Sequence, residues 1–275
     1  MKSTRLTTLL ALLAAALLGA ANAAETVVIG GTGSSGPLMQ VLADEFRRAH
    51  PQVDFRVIRP PLGSGGAIRA LAAGKIDIAV TSRRFDADDA ADNLVAAELA
   101  ATPFVMATRD GARARGFSLA ELAEVYRGTL AVWDDGRPIR LILRAPTDSD
   151  TMTLRALSPG MDAAVQASAR RSGMVTAEND LDTLDLAGKV PGALCPTTLG
   201  LLRTLGSDLR PLPLAGAVPS LRALESGSYP WSKNLFVIHA ARPSPAVRAF
   251  VDFLRGPAAR EAMRRADYLP AAHAR

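Results

Sequence analysis

Three short stretches rich in glycine and hydroxyl residues carry the residue types from which an anion site is built. They are Gly30-Gly31-Thr32-Gly33-Ser34-Ser35-Gly36-Pro37, Gly63-Ser64-Gly65-Gly66 and Pro146-Thr147-Asp148-Ser149-Asp150-Thr151. Glycine lets backbone approach a ligand closely. Free N–H groups at a helix start, with the dipole behind them, favour an anion. The hydroxyls of Ser35, Ser64, Ser149 and Thr151 add donors. Arg144, just ahead of the third stretch, offers a planar, permanently charged fork that suits an oxyanion. Three such turns meeting in one place would surround a tetrahedral anion with about ten donors. Taken singly, each turn reads first as a helix cap with no ligand, and it is the three together, with Arg144, that bring the binding reading level with it. Gly31-x-Gly33-x-x-Gly36 also fits a dinucleotide fingerprint, but Asp54, the acidic residue near the required distance, precedes the apolar core of its strand.

The elements that must hold these turns alternate along the chain. Thr26 to Gly30 is β-branched and predicts a strand. Pro37 suits the first position of a helix, with Leu38, Val41, Leu42, Glu45, Phe46 and Ala49 on its inner face. Val53, Phe55 and Val57 alternate as a second strand, Ala67 to Ala73 is a short helix, and Ile76 to Thr81 a third strand. Strand, turn and helix in repetition imply a mostly parallel sheet flanked by helices, and such sheets bind ligands at the C-terminal ends of their strands. Further on, Phe104 to Thr108 and Ile139 to Leu143 read as strands, and Ser118 with Glu121 as a capping box over a helix to Tyr126. A helix is expected from about Met152, a short one over Leu221 to Ser226, a strand over Leu235 to His239 and a long amphipathic helix from Pro245 to Arg264.

Composition narrows the chemistry. The chain has 275 residues, is 48% hydrophobic and holds one cysteine and three histidines, which argues against a disulfide framework or a His/Cys metal centre. No metal and no cofactor is expected. Residues 1–23 read as a secretory leader: Lys2 and Arg5, an apolar run from Leu9 to Leu18, then Ala21-Asn22-Ala23. Two of the 32 basic residues fall there, leaving 30 against 27 acidic ones, a net charge of +3. That excess is too mild, and too poor in interleaved aromatics, to suggest nucleic acid. Cys195, set among Ala, Leu and Pro, reads as a small buried hydrophobe, and Trp133 and Trp231 as packing residues. Arg83 and Arg84 read either as a solvated pair or as cleft-mouth residues, and Asp180, Asp182 and Asp185 lack the tight loop of a calcium site.

The chain resembles the phosphate-binding component of phosphate ABC importers and the wider group of periplasmic binding proteins. The resemblance runs over nearly the whole mature chain. It rests on the first two turns, Lys75-Ile76-Asp77-Ile78-Ala79-Val80-Thr81-Ser82-Arg83, Val125-Tyr126-Arg127-Gly128 followed by Trp133-Asp134-Asp135, and Arg144-Ala145 with Ser149-Asp150-Thr151. Ser228-Tyr229-Pro230-Trp231-Ser232-Lys233 and Tyr268-Leu269-Pro270 complete it. It implies two α/β lobes of mostly parallel sheet joined by a two-strand hinge: lobe 1 over 24–105 and 236–275, lobe 2 over 106–235, with Phe104 to Thr108 and Leu235 to His239 as the crossings. The ligand positions it implies are Ser34, Ser35, Gly36, Ser64, Ser82, Arg144, Ser149, Asp150 and Thr151. Two departures bear on the ligand. Ser82 stands where the best-known phosphate binders have an aspartate that accepts the ligand's proton, and Asp150 stands where the family usually has glycine. Leu194-Cys195-Pro196 also replaces a stretch that relatives tend to have as Ile-Gly-Tyr.

The function implied is capture of a small oxyanion, phosphate first, by a monomer that hands it to an inner-membrane permease or a sensor. A second class is a binding-type scaffold without ligand that serves as an envelope or signalling partner. An enzyme, a phosphatase or thiol hydrolase, would need a nucleophile and base at a recognised spacing, and the sequence offers none.

Overall fold

The computed structural model describes residues 25–85, 93–109 and 113–272. The leader expected over residues 1–23 lies outside them, and none of the described helices is long and apolar enough to cross a membrane. The first half of the chain runs β1 (Glu25–Gly31), α1 (Gly36–Arg47), β2 (Val53–Val57), α2 (Gly63–Ala72), β3 (Ile78–Thr81), β4 (Leu94–Thr108), α3 (Leu119–Arg127) and β5 (Arg140–Arg144). Then follow α4 (Ser149–Ala156), α5 (Pro159–Ser168), β6 (Val175–Ala177), α6 (Asp180–Lys189), β7 (Ala193–Thr198), α7 (Leu199–Leu205) and β8 (Arg210–Leu212). The chain closes with α8 (Leu221–Glu225), β9 (Ser232–Ala240), α9 (Pro245–Arg255), α10 (Pro257–Arg265) and β10 (Leu269–Pro270).

The strands lie in the order β2-β1-β3-β9-β4-β7-β5-β6, with β8 and β10 attached to β4. β2 and β3 flank β1 in parallel, and β6 and β7 flank β5 in parallel. Two cores result. One gathers Val27, Leu38, Phe46, Val80, Phe250 and Tyr268 around β1 and β3; the other gathers Phe104, Tyr126, Trp133, Ile142 and Tyr229 around β5 and β7. This is a two-lobe mixed α/β fold, the architecture the resemblance implies.

The two lobes share β4, which is 15 residues long. Its first part pairs antiparallel with β9 and its last part with β7 and β8. The chain crosses between the cores at Ala101–Pro103 and Ser232–Asn234, which pair with each other. The crossings expected at Phe104 to Thr108 and Leu235 to His239 therefore sit one step too far along. Those apolar runs are buried inside the second and first lobes respectively, and the polar Thr102, Ser232, Lys233 and Asn234 are left to span the gap.

Other boundaries shift for local reasons. α2 starts at Gly63, whose φ of 68° only glycine adopts easily, so the second glycine turn is the first turn of the helix. α4 starts at Ser149 because Asp148 caps it. The expected helix 245–264 is two, because Gly256-Pro257 breaks it and proline has no N–H to continue the ladder. α1 buries Met39 and Ala43 and leaves Val41 exposed. It packs against α7 and α10 as well as the sheet, which widens its buried face.

Candidate ligand-binding cleft

A cleft of about 520 Å³ lies between the lobes. Thr32, Gly33, Ser64, Gly65, Arg69 and Arg83 line it from the first lobe, and Arg144, Asp148, Ser149, Glu178, Asn179 and Asp180 from the second. All three turns and Arg144 thus reach one crevice.

The first-lobe wall is built on two helix starts without side-chain caps. Leu62 precedes α2 and Ser35 precedes α1, and neither side chain bonds to the helix. The Ser64 hydroxyl accepts from the Ser82 amide at 3.1 Å and lies 3.3 Å from the Ser82 hydroxyl. Ser82 stands behind Ser64, steadying it. Ser35 turns its hydroxyl inward and donates to the Thr32 carbonyl at 2.8 Å, while the Ser34 carbonyl accepts from the Tyr268 hydroxyl at 3.1 Å. Both serines are buried. A Cβ on Gly36 would lie 3.6 Å from Val57 Cγ1, so Gly36 faces the sheet. Ser34, Ser35 and Gly36 hold the shape of the first turn, and Thr32 and Gly33 are the residues of it that line the cleft.

The second-lobe wall is closed on itself. Asp148 accepts the amide of Asp150 at 2.9 Å and Nη2 of Arg144 at 2.5 Å. Arg144 gives Nη1 to the Thr183 hydroxyl at 3.2 Å, and its Nε is buried without a partner. The fork expected to hold an oxyanion is already occupied by a carboxylate and a hydroxyl of the same lobe. Thr151 donates its hydroxyl to the Arg144 carbonyl at 3.2 Å, and Asp150 points to Lys233. Of the third turn, Ser149 and Asp148 line the cleft and Asp150 and Thr151 do not.

Beneath the cleft lies an ionic cluster that sequence reasoning missed. Lys233, on the crossing strand β9, bonds Asp150 at 2.5 Å and Asp180 at 2.9 Å, and all three are buried. Asp180 also accepts the Thr32 hydroxyl at 3.3 Å and lies 3.8 Å from Arg144 Nη2. Burial pushes the Asp150 carboxyl up to about 6 against the pull of Lys233. Asp180 feels the same burial, but Lys233 and Arg144 together hold it below the usual carboxylate range. Burial disfavours the charges of Lys233 and Arg144, yet the surrounding aspartates keep both above their ordinary values. The cluster holds three carboxylates and two cations. Asn179-Asp180, the start of α6 after β6, was the signal available: a fourth strand–turn–helix junction, acidic rather than glycine-rich.

Asp180 also fixes the lobes against each other. A Cβ on Gly33 would lie 2.7 Å from Asp180 Oδ2 and 3.1 Å from its backbone nitrogen. Glycine is required there by close approach of the other lobe, not by its φ. Elsewhere, Asp54 is exposed near the start of β2 and pairs with Arg47 at 3.6 Å. Burial, then Asp150, pushes the Cys195 thiol up to about 12, which leaves it protonated at neutral pH.

Comparison with known proteins agrees with this architecture. A Clostridium perfringens substrate-binding protein of the phosphate ABC transporter type, solved with bound phosphate, superposes with a TM-score of 0.75 at 16% identity, over 90% of this chain and all of that one. An ABC-type phosphate transport receptor from Vibrio cholerae gives 0.63 at 18% identity, over 90% of this chain and all of that one. At these identities the likeness shows the fold. Among curated proteins, the phosphate-binding protein PstS 2 of Streptococcus pneumoniae is 29% identical over 107 residues, 39% of this chain. The match spans about a third of that relative's length, 35%. The family model of the PBP superfamily domain matches residues 19–257, and over that span the chain belongs to the PBP superfamily.

Proposed function

We propose that this chain is a periplasmic solute-binding protein that captures a small oxyanion, phosphate first, and delivers it to an ABC permease of the inner membrane. The observation that carries the reading is the convergence of the uncapped start of α2, with Ser64, and the Arg144–Ser149 turn on one cleft between two lobes. Relatives of the same fold are described as phosphate receptors, one with phosphate bound. The protein works as a monomer, and affinity comes from donors already in place and from lobe closure. In this reading the anion sits against Ser64 and the α2 amides, and Asp148 accepts the ligand's own proton. It would thereby supply the acceptor that Ser82 lacks. In this reading the chain acts by binding, and the buried Cys195, held as a thiol, offers no activated nucleophile.

The closed Arg144–Asp148 pair favours a second reading, a binding scaffold without ligand that serves as an envelope partner. Isothermal titration of the mature protein with phosphate, arsenate and sulfate separates the two. Micromolar binding of phosphate, with sulfate weaker, is expected. Silence with every anion overturns the capture reading in favour of the scaffold.

A further inference from the structure

The two walls of the cleft differ in charge. Its lining carboxylates, Asp148, Glu178 and Asp180, all come from the second lobe, while Arg69 and Arg83 come from the first. The second lobe's guanidinium, Arg144, is held by Asp148 and is close to Asp180. Neither Arg69 nor Glu178 forms an ion pair with any described residue. Leu62 and Met152, both exposed, face the same cleft from opposite lobes. The volume of about 520 Å³ falls among sites for organic ligands, which run from about 300 to 1,000 Å³, and exceeds what a bare tetrahedral ion needs.

We infer that the preferred ligand is a zwitterion: a phosphonate or phosphate-ester head against Ser64 and Arg69, a short carbon chain along Leu62 and Met152, and an ammonium against Asp148 and Glu178. The inference rests on the capture reading and names its substrate class. A purely anionic ligand filling the cleft would bring negative charge up to a wall of carboxylates, whereas an ammonium converts that repulsion into attraction. A carboxylate offers about four lone-pair sites, so Asp148 retains acceptor capacity beyond the Arg144 and Asp150 bonds it already makes. The uncapped α2 start supplies donors for the head, and the capped starts of α4 and α6 supply acceptors for the tail.

The test is calorimetric titration of the mature protein with 2-aminoethylphosphonate, n-propylphosphonate and inorganic phosphate. The two phosphonates share head and length and differ in the ammonium. The amino compound is expected to bind at least about tenfold tighter than its propyl counterpart, the scale of a charge-assisted hydrogen bond. Glu178→Gln and Asp148→Asn together should bring that ratio towards one. Asparagine keeps the helix cap, Glu178 is exposed, and Arg144 keeps Thr183 and Asp180 as neighbours, so the fold is expected to survive at a lower melting temperature, which a thermal melt checks. Equal affinity for both phosphonates, or binding of phosphate alone, overturns the inference and leaves anion capture standing. Silence with all three, phosphate included, overturns anion capture and the inference together.

Discussion

The two walls of the cleft are built from the same unit, a strand that ends in a turn and opens a helix, and they have opposite chemistry. On the first lobe's cleft side the starts of α1 and α2 are left uncapped, with Ser35 and Leu62 making no bond to their helices. In the second lobe Asp148 and Asn179 bond the amides that begin α4 and α6. At α4 the N-cap carboxylate satisfies the helix start and brings a negative charge to a place that would otherwise attract one, and at α6 the neutral cap Asn179 is flanked by Glu178 and Asp180, which bring the charge. The first wall is therefore free to donate and the second to accept. In the proposed capture reading, lobe closure brings a donor face onto an acceptor face and thereby selects for ligands that carry both kinds of group.

The largest expected effect removes the lysine on which the second wall rests. Lys233→Met leaves Asp150 and Asp180 buried without their shared cation. Loss of one partner from a buried ionic cluster typically costs about 3–5 kcal/mol, and urea denaturation at pH 8 should show a loss of this size. The loss should shrink at pH 5. Asp150 has its folded pKa raised to about 6, above the unfolded value, so its titration favours the fold at low pH and that contribution fades as pH rises through about 6. Without Lys233 the carboxyls protonate more readily still. A penalty independent of pH would mean that Lys233 serves as packing and not as counterion.

A change at the seam between the walls comes next. Gly33→Ala puts a methyl against the Asp180 backbone, at 3.1 Å from its nitrogen, which a flexible side-chain end cannot relieve. Overpacking of this kind costs about 1–3 kcal/mol. The lobes are expected to part, with a larger radius of gyration in solution scattering and weaker phosphate binding. An unchanged scattering profile and affinity would show that the contact is incidental to closure.

Asp148→Asn tests the acceptor role directly. Asparagine caps helices as well as aspartate does, but Arg144 loses its closest carboxylate and keeps the Thr183 hydroxyl and the more distant Asp180, so some stability is lost with the charge and affinities are compared on the folded variant. Sulfate carries no proton at pH 7 and gains from the lost repulsion, while phosphate loses an acceptor for its proton. Selectivity for phosphate over sulfate should fall about tenfold, near 1.4 kcal/mol. An equal change for both anions would make Asp148 a plain counterion of Arg144.

The elements of the donor wall were largely legible in the sequence, its lining less so: of Ser34, Ser35, Gly36, Ser64 and Ser82, only Ser64 lines the cleft. Glycine and serine at strand ends, Pro37 at a helix start and the alternating Val53, Phe55 and Val57 are local signals, and β1, α1 and β2 lie where those signals put them. The acceptor wall was not. Asp150 and Thr151 have the residue types of an anion turn, but whether a side chain turns outward or inward depends on what waits beneath it. Here Lys233 draws Asp150 inward, 83 residues further along the chain. The sequence showed Asp180 only as one of three nearby aspartates without a calcium loop, and its partners Thr32, Arg144 and Lys233 come from three other segments. Spacing along the chain reports periodicity within an element. It does not report which elements meet at a crossing strand, and the ionic cluster forms at that meeting.

The smallest expected effect compares one hydroxyl from each wall. Ser64 lines the cleft and its hydroxyl oxygen accepts from the Ser82 amide; with Ser82 as donor in the 3.3 Å hydroxyl pair, the Ser64 proton is left for a ligand. Thr151 donates to the Arg144 carbonyl and lies outside the cleft lining. Ser64→Ala should weaken phosphate binding by about three- to tenfold, the worth of one hydrogen bond. Thr151→Ala should lower stability by about 0.5–1.5 kcal/mol and shift phosphate affinity by less than about twofold. Calorimetry and a denaturation curve on each variant separate the two roles. If Thr151→Ala weakens binding as much as Ser64→Ala does, the third turn opens towards the ligand in the bound state, and the acceptor wall supplies donors as well.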